Sequence, residues 1–235
     1  MRLEVRWAWL IVSLVLGLLF SRLGAKEPKT VVTGDQMEIL QSGDKIIFTG
    51  NSRVSRGESV LNADQLIQDK KNNRIEAAGK VNFRSYTQER ETVFGRSDKA
   101  IYSPESGQGE LWGGRPKIIY NVKNSTGPVE VEADRINFDQ KKEDIFASGN
   151  VEIVSSSMSA YAPSAQFRQN EKQVVLTGQK PQPLIVYRGE DQQGKYRADR
   201  ITMIMDSHTV VLEGNVTGVI ELDTNKKKVN RNDPL

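Results

Sequence analysis

A pattern that starts with an aspartate and carries a glycine 15 residues later occurs six times, which restricts the chain to a repetitive fold. The six pairs are Asp35/Gly50, Asp64/Gly79, Asp98/Gly113, Asp134/Gly149, Pro163/Gly178 and Asp199/Gly214, with proline replacing the aspartate once. The last three starts lie 99, 99 and 101 residues after the first three. This offset predicts two duplicated blocks, about 31–128 and 129–222.

Apolar and polar residues alternate in each repeat, and this period of two predicts β-strands with one buried face. In the fourth repeat, Ile136, Phe138 and Ile145 follow the apolar phase, while Asn137 follows the polar phase. The glycine predicts a bend or bulge, and the aspartate predicts a turn cap rather than a catalytic group. The pattern slips between residues 109 and 120, where we expect a bulge or a loop insertion.

The composition argues against an enzyme and against a metal or cofactor site. The chain has no cysteine and one histidine, His208, which lies in a predicted turn. A thiolate nucleophile and a pair of histidine ligands are therefore absent from the sequence. It also lacks a glycine-rich phosphate loop and a serine nucleophile elbow. We expect neither catalysis nor a cofactor.

The N-terminus predicts export. Arg2 and Arg6 precede 14 uncharged, mostly apolar residues, 7–20, a length typical of a secretory signal and short for a membrane span. Cleavage is expected after Ala25, and an uncleaved membrane anchor is the alternative. Residues 1–25 hold three of the 33 basic and one of the 30 acidic residues, so the remainder carries a net charge of +1. This near-neutral charge disfavours nucleic-acid binding. Residues 26–225 form the predicted β-slab, and 226–235 a polar disordered tail.

Three stretches carry a resemblance to a known family. "VEADRINFDQKKEDIFASGNVEIV", "LNADQLIQDKKNNRIEAAGKVNF" and "YRADRITMIMDSHTVVLEGNVTG" resemble the repeats of the OstA-like family, and most of all its LptA members. The resemblance implies an all-β fold, a twisted β-jelly-roll or slab of antiparallel strands built from the six repeats. It further implies a periplasmic transport protein of Gram-negative bacteria. Such a protein shields the lipid A acyl chains of lipopolysaccharide in an apolar groove, within a bridge from the inner to the outer membrane.

The apolar phase of the repeats supplies the candidate lipid-binding residues that this resemblance implies. Residue type alone favours ordinary core packing for them. The predicted inward set is Met37, Ile39, Phe48, Leu66, Ile75, Phe83, Ile136, Phe138, Ile145, Ile153, Phe167, Leu176, Ile201, Met203 and Leu212.

The ends of the repeat array are expected to expose unpaired strand edges. The first strands, near Val31 to Ile39, and the last, near Val216 to Leu222, would then invite strand addition. The resemblance implies LptC-like and LptD-like partners at these edges and head-to-tail assembly of the chain itself. Two alternatives stay open. The chain could be an LptC-like accessory subunit anchored by its N-terminus, or a non-transport β-helix with a structural or carbohydrate-binding role.

Overall fold

The computed structural model describes residues 29–86, 92–121, 127–139, 141–142, 144–168, 171–189, 192–204, 207 and 209–222. The predicted export signal, His208 and the predicted tail lie outside these residues. Within the described part of the chain, no helix is long and apolar enough to cross a membrane.

The described chain forms one antiparallel sheet of 18 strands, as the alternating pattern predicts. The strands are β1 (Thr30–Thr33), β2 (Gln36–Leu40), β3 (Lys45–Arg56), β4 (Ser59–Asp69), β5 (Arg74–Tyr86), β6 (Thr92–Ser103), β7 (Gln108–Trp112), β8 (Lys117–Asn121), β9 (Val129–Glu132), β10 (Arg135–Asp139), β11 (Asp144–Val154), β12 (Met158–Arg168), β13 (Gln173–Thr177), β14 (Leu184–Arg188), β15 (Gln192–Arg197), β16 (Arg200–Ile204), β17 (Thr209–Glu213) and β18 (Thr217–Leu222). Their antiparallel pairing is incompatible with the parallel β-helix alternative.

Bulges divide this sheet into two halves. Six long strands, β3 to β6 with β11 and β12, cross both halves, and the remaining strands are short and belong to one half each. The first part of β3 pairs with β2 and its last part with β1, and its register against β4 shifts between Thr49 and Ser52. We call the half that contains β2, β7, β10, β13, β16 and β17 half-sheet A, and the half that contains β1, β8, β9, β14, β15 and β18 half-sheet B.

The recurring aspartate and glycine form the bulge. Gly149 has φ +73°, and the following Asn150 has φ +47°. Residues with a Cβ rarely adopt this backbone region. Asp134 covers this glycine: its backbone N–H donates to the Gly149 carbonyl at 2.8 Å, and its carboxylate accepts from the Asn150 side-chain amide at 2.9 Å. The predicted bulge is confirmed, and the aspartate caps that bulge rather than a turn.

The third and fifth repeats depart from this scheme for local reasons. Between β7 and β8, residues 113–116 interrupt the strand, and Gly113, Gly114 and Arg115 all have positive φ. This break confirms the irregularity predicted between residues 109 and 120. In the second block, the segment after Gly178 contains two prolines, which cannot donate to a sheet ladder, and it separates β13 from β14.

Strand pairing continues across the boundary between the blocks. β7 pairs with β10, and β8 pairs with β9, so each half-sheet runs without interruption from the first block into the second. We call these two pairings the seam. Apolar residues from both half-sheets pack into one core cluster that spans the described sheet.

Candidate functional site

The inner face of half-sheet A carries a continuous row of apolar residues that crosses twelve strand segments. Cross-strand partners in the sheet connect its members one by one from the first edge to the last. The row is Met37, Phe48, Leu66, Ala77, Ala100, Leu111, Ile136, Ala147, Ala165, Leu176, Ile201 and Leu212. At about 4.8 Å between strands, it extends for about 50 Å.

All 15 residues predicted to face inward share this face of the sheet. Thirteen lie in half-sheet A, and Phe83 and Ile153 lie in half-sheet B. Ten are buried: Leu66, Phe83, Ile136, Phe138, Ile145, Ile153, Phe167, Leu176, Ile201 and Met203. Phe48, Ile75 and Leu212 are partly buried. The strand phase predicted from the alternation is therefore correct.

Two members of the set differ from the expected burial. Met37 and Ile39 are 57% and 58% exposed, although they lie on the same face as the buried residues. Both are on β2, which pairs with β3 alone among the described strands. An edge strand has a neighbour on one side only, so its side chains lose half of their lateral contacts.

Sequence reasoning missed most of the inner face of half-sheet B. Leu61, Val131 and Ala160 lie three residues before the start of their repeats, and Val129 and Met158 lie five residues before. All five are buried. The alternation that predicts strands after the aspartate also runs upstream of it, so the repeat unit begins five residues earlier than the pattern used to define it.

Aromatic rings cover glycines on the inner face. The Phe138 ring lies where a Cβ on Gly109 would stand, and the Phe83 ring occupies the same place over Gly95. Each glycine is the direct cross-strand partner of its ring. Tyr102 stacks on Phe138 with ring centroids 6.1 Å apart. These contacts make the middle of the interior a closely packed apolar surface.

The two ends of the sheet expose apolar side chains and strand edges. Among the described strands, β1 and β2 pair only with β3, β17 pairs only with β16, and β18 pairs only with β15. Exposed apolar residues concentrate on these strands: Val31, Met37, Ile39 and Leu40 at the first end, and Val211, Val219 and Ile220 at the last. Both ends can therefore accept another strand.

Ion pairs concentrate on the outer face of half-sheet B at the seam. The Lys117 ammonium lies 2.5 Å from Glu130 and 3.1 Å from Glu132, and the Arg115 guanidinium lies 3.1 Å from both Glu132 and Glu152. The hydrogen bond that Lys117 donates to Glu130 raises the pKa of the lysine. In the described ranges, no group of three or more potential ligand side chains is placed to hold a metal ion.

Comparison with known proteins adds independent information. The family model described as "LptA/(LptD N-terminal domain) LPS transport protein" matches residues 31–126 and again 130–232. A search of curated proteins gives no match. Among solved structures, the chain is similar to LptH, described as the LptA-homologous periplasmic component of the lipopolysaccharide transport device of Pseudomonas aeruginosa. That match has 14% identity and a TM-score of 0.47, and covers 55% of this chain and 96% of LptH.

The family model covers most of the chain in two copies and agrees with the antiparallel all-β sheet. The OstA-like resemblance and the predicted β-jelly-roll fold are therefore confirmed. The chain belongs to the LptA/LptD N-terminal domain family of lipopolysaccharide transport proteins.

Proposed function

We propose that the chain binds lipopolysaccharide by holding the lipid A acyl chains against its inner face and passes the lipid along the sheet. The single observation that supports this most is the unbroken apolar row from Met37 to Leu212. A protein that only needed a core could interrupt such a row at any repeat. We further propose that it works in the periplasm as part of a bridge between the two membranes.

The energy of acyl burial explains why many similar positions are useful. Burying one methylene group contributes about 0.8 kcal/mol, so a chain of about a dozen carbons gains about 10 kcal/mol on leaving water. A single site of that strength would retain its lipid. A row of similar positions lets the lipid exchange one well for the next, while an energy source elsewhere supplies direction.

The packing of the interior supports entry of lipid at the ends of the sheet. In the middle of the sheet, residues such as Ile136 and Leu176 are fully buried against other side chains. At the first end, Met37 carries the same row into solvent, and Ile39 is exposed beside it. An acyl chain can contact the row at an end without displacing core contacts, whereas in the middle the half-sheets must separate first. We therefore expect loading at the ends.

The seam supplies a template for head-to-tail assembly. By the 99- and 101-residue offsets, β17 corresponds to β7, and β2 corresponds to β10. The gap between β17 and β18 is one residue shorter than the gap between β7 and β8, so β18 corresponds to β8 at an offset of 100 residues. Applying the seam register to two copies then places Met37 opposite Leu212, and Val31 opposite Val219. We propose that β17 and β18 of one copy add to β2 and β1 of the next, and that LptC-like and LptD-like proteins use the same edges.

Photocrosslinking in cells tests the lipid-binding proposal directly. A photoreactive residue at Phe138 is expected to yield lipopolysaccharide adducts, because this position faces inward and is 7% exposed. The matched control is Asn137, the adjacent position on the outer face. Adducts at neither position, in a protein that accumulates normally, would contradict the proposal.

The site of action is tested separately. We propose that residues 1–25 are removed on export, so that N-terminal sequencing of the periplasmic protein begins at Lys26. An intact N-terminus in the membrane fraction would instead support the anchored LptC-like alternative.

A further inference from the structure

A shallow depression on the outer face of half-sheet A differs in chemistry from the rest of the array. Its lining combines Phe146 with the side chains of Asn137, Gln166, Asp139 and Asp144, together with Gln108 and Lys142 from the neighbouring strand and turn. Phe146 is 45% exposed and has Asn137 and Gln166 as its direct cross-strand neighbours. An aromatic surface therefore lies between two primary amides.

The aromatic residue is specific to one repeat. Phe146 stands 12 residues after the aspartate of its repeat, and the equivalent residues elsewhere are Ile47, Glu76, Glu110, Val175 and Val211. An outward position in a sheet does not require an aromatic side chain, and the five sister repeats fold without one. A departure from the repeat pattern without a structural need points to a local function.

Hydrogen-bonding groups around the ring fall into two sets. The Asp139 carboxylate is engaged: it accepts from the Gln108 amide at 3.1 Å and from the backbone N–H groups of Lys141 and Lys142. Burial opposes its ionisation, but the bonds from Gln108 and Lys142 outweigh burial and lower the pKa of Asp139. By contrast, the Asn137 amide makes no side-chain hydrogen bond to any described residue. It is therefore available to a ligand.

We propose that this depression binds a neutral pyranose sugar. One face of a pyranose carries C–H groups that pack on an aromatic ring, and its hydroxyl groups bond to amides and carboxylates. A phosphorylated or acidic sugar fits less well, because two lining carboxylates oppose one ammonium group. Of the ligands that the proposed function supplies, the saccharide portion of lipopolysaccharide meets this requirement.

The position of the depression links the two sites. Asp139 ends β10 and Asp144 begins β11, so the depression lies beside the turn at the rim of half-sheet A. Phe138, on the inner face of the same strand, lies two residues from Ile136 of the apolar row. A glycolipid whose acyl chains lie at Phe138 can place a sugar over this rim. That the sugar belongs to a glycolipid rests on the proposed function. That the sugar is a neutral pyranose rests on the depression alone.

Saturation-transfer NMR with the full chain tests the sugar site without lipid. Methyl β-glucopyranoside and methyl β-galactopyranoside at millimolar concentration serve as neutral probes, and glucose 1-phosphate as the charged probe. We expect transfer from at least one neutral sugar, and an affinity about five-fold weaker in Phe146→Ala, as the loss of one stacking contact implies. Phe146→Tyr should retain binding, and Val211→Ala, the equivalent position in the last repeat, should have no effect.

Three results would overturn the sugar site: no transfer from either neutral sugar, equal transfer in Phe146→Ala, or stronger transfer from glucose 1-phosphate. Lipid crosslinking at Phe138, repeated in the Phe146→Ala background, separates this inference from the proposed function. Sugar binding without lipid adducts would support the sugar site and contradict the proposed lipid transport. Lipid adducts without sugar binding would support lipid transport and contradict the sugar site.

Discussion

The seam and the two ends of the sheet share a backbone arrangement but differ in side-chain chemistry. Ion pairs connect the two strands at the seam, and the residues that form them include Arg115, Lys117, Glu130 and Glu132. Their equivalents at the ends, at an offset of 100 residues for β8 and 99 residues for β9, are Asn215, Thr217, Val31 and Thr33. The same strand pairing is thus supported by ion pairs inside the chain and by apolar and neutral residues where a second copy would join.

If copies assemble as proposed, this difference would let one chain keep its own blocks together while both ends stay open to a second copy. Charges that match only each other reject other partners, because a mismatched edge would leave them unpaired. If the β7 and β8 edge met the β1 and β2 edge of another copy, Lys117 would face Thr33 rather than Glu132. The four equivalent positions at the ends are uncharged and carry no such restriction, which is compatible with the edges proposed to be shared with related proteins.

The largest expected effect comes from placing a lysine at equivalent positions of the seam and of the end. Ile136→Lys puts a charge at a fully buried position, and we expect a loss of about 4 kcal/mol in the free energy of unfolding, or failure to fold. Met37→Lys, at an exposed position, should change it by less than about 0.5 kcal/mol. Urea denaturation of dilute protein measures both values. Equal losses would show that the end is already packed in the single chain.

The bulge glycines give a second comparison, between the middle of the sheet and its first end. Gly149→Ala forces a Cβ onto the Asp134 carboxylate at a positive φ, so we expect a loss of about 3 kcal/mol. Gly50→Ala meets Asp35 in the same way, but β2 is an edge strand and can detach locally. Its cost should be nearer 1–2 kcal/mol, roughly the stability of that edge. Hydrogen exchange should show the Gly50→Ala loss confined to β2, and a global loss there would contradict the comparison.

Much of this comparison could be predicted from the sequence, because period and repeat offset are local properties. Alternation placed Ile136 and Phe138 on the inner face, and the aspartate and glycine spacing located each bulge. The exposure of Met37 could not be predicted in the same way. Its residue type and phase match those of Ile136, and the two differ only in whether another strand lies beside them. That depends on pairing partners far along the chain.

The candidate sugar site could not be predicted from the sequence for a different reason. Phe146 follows the polar phase of its strand, and the alternation gives no reason to single it out. Asn137, Gln108 and Gln166 come from three other strands, so their convergence on the ring depends on cross-strand register. Reading the same position across all six repeats would have shown one aromatic among aliphatic and acidic residues. The lateral neighbours could be identified only from the folded sheet.

Association between copies should be weakened by the same lysine that leaves the single chain stable. In the proposed joint, Met37 faces Leu212 and becomes buried, so Met37→Lys should cost about 2 kcal/mol, or about 30-fold in Kd. Glu38→Lys changes charge on the outer face and serves as the control. Sedimentation equilibrium measures both constants, and equal Kd values for wild type and Met37→Lys would exclude this edge from the joint.

The register of the joint can be tested by disulfide formation, since the chain has no cysteine of its own. Val31→Cys and Val219→Cys in one chain should yield covalent oligomers on oxidation, because directly opposed antiparallel residues lie within disulfide reach. Val31→Cys with Val216→Cys is the matched control. Val216 lies just before β18, three residues from Val219 and about 10 Å from it. Equal yields from the two pairs would contradict the register taken from the seam.

The smallest effect concerns the charges that distinguish the seam from the ends. Lys117→Met should cost about 1 kcal/mol at low salt, because it leaves Glu130 without its cation, while Glu132 keeps only Arg115. Lys195→Met, at an exposed lysine without an ion pair to any described residue, is the control. Since folding raises the pKa of Lys117, its contribution is complete below the unfolded pKa of about 10.4 and is lost as pH rises through the folded pKa. Thermal unfolding of both variants should therefore diverge at neutral pH and converge in strong alkali, and also in about 1 M salt. A difference that persists under both conditions would mean that Lys117 stabilises the seam by packing its methylene groups rather than by its charge.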